Sequence, residues 1–322
     1  MKNLCYVVAA LALSGTARAQ TNPTFTFSKP DEAKVDASKP PPPAVEWKAQ
    51  IKGGLLVTSG NSQTTNGSIG VNASRKQGNN RLALDGGAAY GHSSVVVPVY
   101  DSPTSTQIDA LTRTEITTTN NWLARGRYDR FFTPNNSGYA SAQIASDKIA
   151  GKALFGGGQV GYSRQIYKSA MHTFVGEAGY DFSYESYIQP PPPSAARDSV
   201  AIHSARLFLG ETLKMSPETG LSASVEAFLN LNREGKALNA GTGVPGVDAF
   251  HDTRVIGKLG LTTTLMKRLS IGFGLTLRYD QNPAPLPIPA TAMAGATFAP
   301  GFVPFAEKVD TQTEVNLIYT FL

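Results

Sequence analysis

The chain has 322 residues, 29 basic and 24 acidic, and charged residues make up only 16% of it. Disordered and coiled-coil chains carry more charge, so neither class suits its body; the length fits two ordinary domains or one large all-β barrel. A single cysteine excludes a disulfide framework and any cysteine-based metal site, and with no window of 18 apolar residues no transmembrane helix is expected.

Met1-Lys2-Asn3 is a short basic start, Leu4 to Leu13 an apolar core, and Ala17-Arg18-Ala19 an A-x-A cleavage site. This is the layout of an export signal over residues 1–19, leaving Gln20 first. Cys5 lies at the start of the apolar core rather than after it, so a lipoprotein signal is excluded. Removal takes away the cysteine with Lys2 and Arg18, leaving 27 basic and 24 acidic residues and a net charge of about +3. That is too little to suggest nucleic acid as a partner. Residues 20–46 hold Lys29-Pro30-Asp31-Glu32 and Pro40-Pro41-Pro42-Pro43 with few large apolar side chains. Four consecutive prolines favour polyproline II, so a semi-rigid tether without a core is expected there.

From Trp47 onward the dominant period is two. Ile271, Phe273, Leu275, Leu277 and Tyr279 alternate with Ser270, Gly272, Gly274, Thr276, Arg278 and Asp280. Phe174, Ala178, Tyr180, Phe182 and Tyr184 alternate with Glu177, Asp181 and Glu185, and Val309 to Phe321 behaves likewise. Each segment therefore has one apolar and one polar face as a strand. Twelve such runs are expected, at 47–58, 63–77, 81–95, 111–132, 138–146, 153–167, 172–188, 199–214, 220–233, 253–265, 269–281 and 307–322. Globular strands average five or six residues, whereas most of these runs reach ten or more, the length a tilted strand needs to cross a bilayer. All 21 prolines fall outside the runs, as a residue without a ladder N–H should. Connections alternate between short turns, near 78–80, 133–137, 168–171, 215–219 and 266–268, and mostly longer loops. The expected fold is all-β, a closed antiparallel up-and-down transmembrane β-barrel of about twelve strands, outer-membrane type, over 47–322.

An apolar outer face and a polar inner face invert a soluble barrel, and closure satisfies every backbone group in lipid. Trp47, Phe131-Phe132, Tyr187, Tyr279, Tyr319 and Phe321 stand near strand ends, as interface aromatics do. Outer-membrane lipid is the expected surrounding, with both termini periplasmic.

Several short motifs occur in order: Thr58-Ser59-Gly60-Asn61-Ser62 after a glycine-rich strand, Gly156-Gly157-Gly158-Gln159-Val160-Gly161-Tyr162, Leu269-Ser270-Ile271 leading to Arg278-Tyr279-Asp280-Gln281-Asn282-Pro283, and Asp310-Thr311 before the last strand. Through these the chain resembles the salt-induced outer-membrane protein family, the domain of unknown function 481, over roughly 47–322. The resemblance implies an outer-membrane barrel whose biochemical role is largely unassigned. Outer-membrane barrels commonly end on an aromatic residue that the barrel assembly machinery reads during insertion. Tyr319 and Phe321 are the candidate assembly signal, although Leu322 follows them.

Catalysis finds little support. His92-Ser93 and His203-Ser204 are adjacent strand residues on opposite faces, out of hydrogen-bond reach. The barrel phospholipase pattern His-x-Ser-Asn-Gly is absent, and His251-Asp252 is an isolated loop pair. Gly156-Gly157-Gly158 lacks the Lys-Ser/Thr pair of a phosphate loop. No enzyme activity, cofactor or metal is expected.

The alternation aims Arg113, Glu115, Arg125, Arg127 and Asp129 inward from one strand and Glu177, Asp181 and Glu185 from another. Glu226, Lys258, Arg278, Asp280, Asp310 and Glu314 complete the candidate lumen-lining set. Twelve strands about 4.8 Å apart and tilted by about 40° enclose a backbone radius of roughly 12 Å, which long side chains of both signs would nearly close. Two readings follow: a narrow channel for ions or small polar solutes, or a closed structural or surface-interaction barrel rigidified by internal salt bridges. Two proline-rich loops, Gln189 to Ser194 and Pro283 to Phe305, are candidates for a stiff surface loop and for a plug or contact surface.

Overall fold

The computed structural model describes residues 45–58, 63–100, 108–188, 198–234, 246–284 and 305–321. The export signal, the tether up to residue 44, the Gln189–Ser194 loop, most of the Pro283–Phe305 loop and Leu322 lie outside the described residues.

Twelve strands run in chain order: β1 (Val45–Thr58), β2 (Gln63–Gln77), β3 (Asn80–Tyr100), β4 (Ile108–Thr133), β5 (Asn136–Asp147), β6 (Lys152–Lys168), β7 (His172–Tyr187), β8 (Ser199–Lys214), β9 (Thr219–Asn230), β10 (Thr253–Met266), β11 (Leu269–Asp280) and β12 (Val309–Thr320). Each pairs antiparallel with its sequence neighbour, and β12 returns to β1 to close the barrel. The closing seam is short, running from Gln50↔Thr320 to Gly53↔Leu317. Every connection at the end where β1 begins and β12 finishes is short, two to four residues, and the longer ones all lie at the other end. Gly78 opens the two-residue β2–β3 turn at φ 54°, a left-handed conformation that glycine adopts without steric cost.

Burial is inverted relative to a soluble protein. Arg127, Arg206, Asp129, Ser163, Ser204 and Asn230 are among the most enclosed side chains, while Leu207, Leu209, Val225, Leu259, Val315 and Leu317 are exposed. The exposed residues form a belt. Trp47, Tyr128, Phe132, Tyr162, Tyr167, Tyr319 and Phe321 edge it at the turn end, and Tyr90, Trp122 and Tyr184 at the loop end. Such a wall is compatible with hydrocarbon and incompatible with water, so the barrel is of the transmembrane, outer-membrane type.

The structure corrects the sequence reading at four places. β1 starts at Val45, inside the expected tether. At the loop end β3 outruns its expected range by five residues and β4 by three, and the two continue as a two-stranded ribbon beyond the described reach of β2 and β5. Pro98 therefore lies within a strand, opposite Leu111, but past the last β2 pair at Ser94. There β3 pairs on one side only among the described residues, the edge-strand setting in which a residue without an N–H is tolerated. Tyr187 leaves the aromatic belt: it is 6% exposed, donates to Glu185 Oε2 at 2.9 Å and packs with Val200, Ile202 and Ala284.

Candidate functional site

The interior is organised around Tyr139 of β5. An added Cβ on Gly161 would stand 2.7 Å from its hydroxyl oxygen, and one on Gly179 likewise. These glycines face each other across β6 and β7, clearing a seat in which the ring lies 4% exposed. Over the ring sits the Arg127 guanidinium, 4.1 Å from the centroid, with that of Arg206 at 5.5 Å. A cation over an aromatic face is attracted by the ring quadrupole, more strongly once desolvated.

From that seat a charge chain crosses the wall. Arg127 of β4 donates to Glu177 of β7 through Nη1 to Oε2 at 3.1 Å and Nη2 to Oε1 at 2.7 Å. The same guanidinium donates to Asp129 Oδ1 from Nε at 2.9 Å and Nη2 at 2.7 Å. Glu177 also accepts from Ser163 Oγ at 2.9 Å and from Arg206 Nη1 at 2.9 Å. Arg206 of β8 donates to Tyr139 Oη at 2.6 Å and, through Nε, to Glu226 of β9. Bidentate, charge-assisted bonds of this kind combine strength with fixed geometry. They weld β4 through β9 into one packed half of the interior.

Nearer the loops a second group forms around Glu185. It accepts from Lys152 Nζ at 2.7 Å, and Arg254 approaches it at 3.7 Å and Asp181 at 3.8 Å. Gln159 Nε2 and Ser183 Oγ donate to Asp181 at 2.9 and 2.6 Å. The opposite wall is looser. Arg278 of β11 meets Gln312 at 3.2 Å and Asp310 at 3.6 Å, while Lys258 and Glu314 are half-buried along cavity walls.

Two cavities flank these clusters. One of about 600 Å³ opens at the turn end, bordered by Lys168 to Met171 and lined along β10 to β12. One of about 210 Å³ opens at the loop end, bordered by Asp147, Lys152, Asp280 and Lys308. Ile256 of β10 lines both.

Of the fourteen candidate lumen residues, Arg127, Asp129, Glu177 and Glu226 come together in the Tyr139 cluster, and Asp181 and Glu185 in the loop-end group. Arg125 meets Gln159 at 3.3 Å and lines the turn-end cavity with Lys258 and Glu314; Arg278, Asp280 and Asp310 line the loop-end one. Arg113 and Glu115 do not join them. They are exposed on the β3–β4 ribbon, because Gly91 pairs with Thr119 but His92 with Thr117, leaving Thr118 as an extra residue that slips the alternation by one. Tyr319 and Phe321 stand on the outer wall in an edge-to-face pair, centroids 5.0 Å apart. Among the histidines, His172 Nδ1 contacts Glu211 at 2.8 Å, His203 contacts Tyr180 on the outer face, and His251 contacts its own loop through Ala249 O at 3.0 Å.

Sequence reasoning passed over Arg206, Tyr139, Arg254 and Lys52. Arg206 shares its face with Val200, Ile202 and Phe208, which disguises it as an apolar side. The usable signal was the opposite face, where Leu207 and Leu209 mark the lipid side and so turn Arg206 inward.

A family model described as protein of unknown function, DUF481, matches residues 51–321. No curated protein sequence matches the chain. Among solved structures, the NanC porin is similar at 8% identity, covering 85% of this chain and 97% of its own, with a TM-score of 0.38. The translocator domain of the autotransporter NalP from Neisseria meningitidis follows at 12% identity, coverages of 85% and 87%, and a TM-score of 0.38. OmpT of Vibrio cholerae, an outer membrane protein, has 11% identity, coverages of 89% and 100%, and a TM-score of 0.35. The barrel architecture rests on the strand pairings, independently of these likenesses.

Proposed function

This chain belongs to the DUF481 family of proteins of unknown function, and from its barrel we propose that it acts in the bacterial outer membrane as a narrow, non-enzymatic channel for ions or small polar solutes. Export by the N-terminal signal, insertion by the barrel assembly machinery through Tyr319 and Phe321, and periplasmic termini complete that reading.

The observation that carries it is the asymmetry of the interior. The β4–β9 half is filled by the Tyr139 cluster, but the β10–β12 wall presents half-buried Lys258, Arg278 and Glu314 to cavities at both ends. A polar path along that wall, pinched near Ile256, suits hydrated ions and small solutes. The rival reading, a closed structural or surface-interaction barrel, draws on the near-total burial of Arg127, Asp129, Glu177 and Arg206.

Conductance of purified protein in planar bilayers separates them. Discrete small steps are expected from the channel; electrical silence at all voltages would leave the closed barrel as the correct description.

A further inference from the structure

We propose that the turn-end cavity is a binding vestibule for small oxyanions of the phosphate or carboxylate class. As a statement about what is transported, this rests on the channel reading above; as a statement about binding, it stands on the cavity itself.

Among the described residues lining this cavity, seven are Lys or Arg and three are Glu. Two of the three acids are already engaged: Glu226 by Arg206 and Glu211 by His172. Lys52 and Lys258 make no hydrogen bond or ion pair among the described residues. They come from β1 and β10, with Arg125 entering from β4, so positive charge converges from separate stretches of the wall. Gly260, Gly272 and Gly274 also line the wall, and a cavity of about 600 Å³ remains. A recess whose lining is predominantly of one sign, seven cations against three carboxylates, and that is backed by low-dielectric walls concentrates the field. Lysine binds phosphate as a compact point charge.

The loop-end cavity has the opposite balance. Six Asp or Glu stand against four Lys or Arg among its described lining residues. An oxyanion is thus favoured at the turn end specifically.

Lipid headgroup phosphate shares this chemistry. Lys168 and Lys214 border the mouth, within reach of headgroups, but Lys52, Arg125 and Lys258 lie along the strands inside the cavity. That placement selects a dissolved anion.

The test is calorimetric titration of the full-length folded barrel, in neutral detergent, with inorganic phosphate. Saturable, salt-sensitive binding is expected. Each of Lys52→Gln and Lys258→Gln should weaken it about tenfold, the loss of one charge-assisted contact. Arg233→Gln, on the exposed loop-end side, should leave it unchanged. Heat-modifiable gel mobility establishes that each variant is folded, and either single variant suffices if the other is not. Absence of saturable binding, indifference to both lysine substitutions, or displacement of phosphate by added phosphatidylglycerol would each overturn the proposal. Bilayer recordings fail separately: conductance steps without phosphate binding sink only this inference, and phosphate binding in an electrically silent barrel sinks only the channel.

Discussion

Arg127 holds two carboxylates with one guanidinium, and its removal would leave Glu177 and Asp129 buried with less compensation. Breaking one side of such a pair costs about 3–5 kcal/mol, whereas replacing both partners by apolar groups of similar size is often neutral. Arg127→Ala should therefore lower the unfolding free energy on the order of 3 kcal/mol, read by urea titration in lipid vesicles. The double replacement Arg127→Met with Glu177→Met should recover part of it, the remainder being buried Asp129 left without its Arg127 donors. A double variant as unstable as the single one would mean that the charges hold something beyond each other; Arg206, also on Glu177, is the obvious candidate. Arg127, Asp129 and Glu177 were legible from alternation because charged and polar residues dominate their strand faces. Arg206 was not, since three apolar neighbours on its face outweighed it, and nothing in a single strand tells that Tyr139, three strands around the wall, needs a donor.

Strand identity was read from run length and period, and all twelve strands stand where those signals placed them. Periodicity locates a strand through its faces, but where a strand ends depends on its partner. The β3–β4 ribbon continues because each strand supplies the other's hydrogen bonds, and Pro98 fits there only because β2 has ended. Pairing also explains the glycine run of β6. A Cβ on Gly157 would fall 1.8 Å from the Phe182 carbonyl oxygen on the neighbouring strand, whereas one on Gly53 meets nothing within 4 Å. Gly157→Ala should thus force β6 and β7 apart at a cost of roughly 1–3 kcal/mol, in line with overpacking elsewhere. Refolding yield into vesicles, scored by heat-modifiable mobility, should fall for Gly157→Ala and stay near wild type for Gly53→Ala. Equal yields would show that the β6–β7 ladder relaxes more easily than its backbone contact suggests.

Across the whole barrel the weakest ladder is the one that makes it a barrel. β1 and β12 share register from Gln50↔Thr320 to Gly53↔Leu317, while β1 and β2 pair along the full length of β1. Closure removes the last free edges, so an opened seam would expose unpaired backbone to lipid, which is costly. Opening of the seam is the expected first step of unfolding. Gln50 and Thr320 are register partners, and Gln50 Nε2 lies 3.4 Å from Thr320 Oγ1, so their side chains already meet on one face. Cysteines at both positions, with Cys5 replaced by Ser so that no third thiol competes, would close a loop of nearly the whole barrel. Loop entropy puts the gain at up to about 5 kcal/mol. The oxidised Gln50→Cys, Thr320→Cys variant should unfold at markedly higher urea and more slowly than its reduced form. Equal unfolding rates for the two forms would place the first opening elsewhere in the wall, with the four-residue seam surviving until the rest of the ladder has gone.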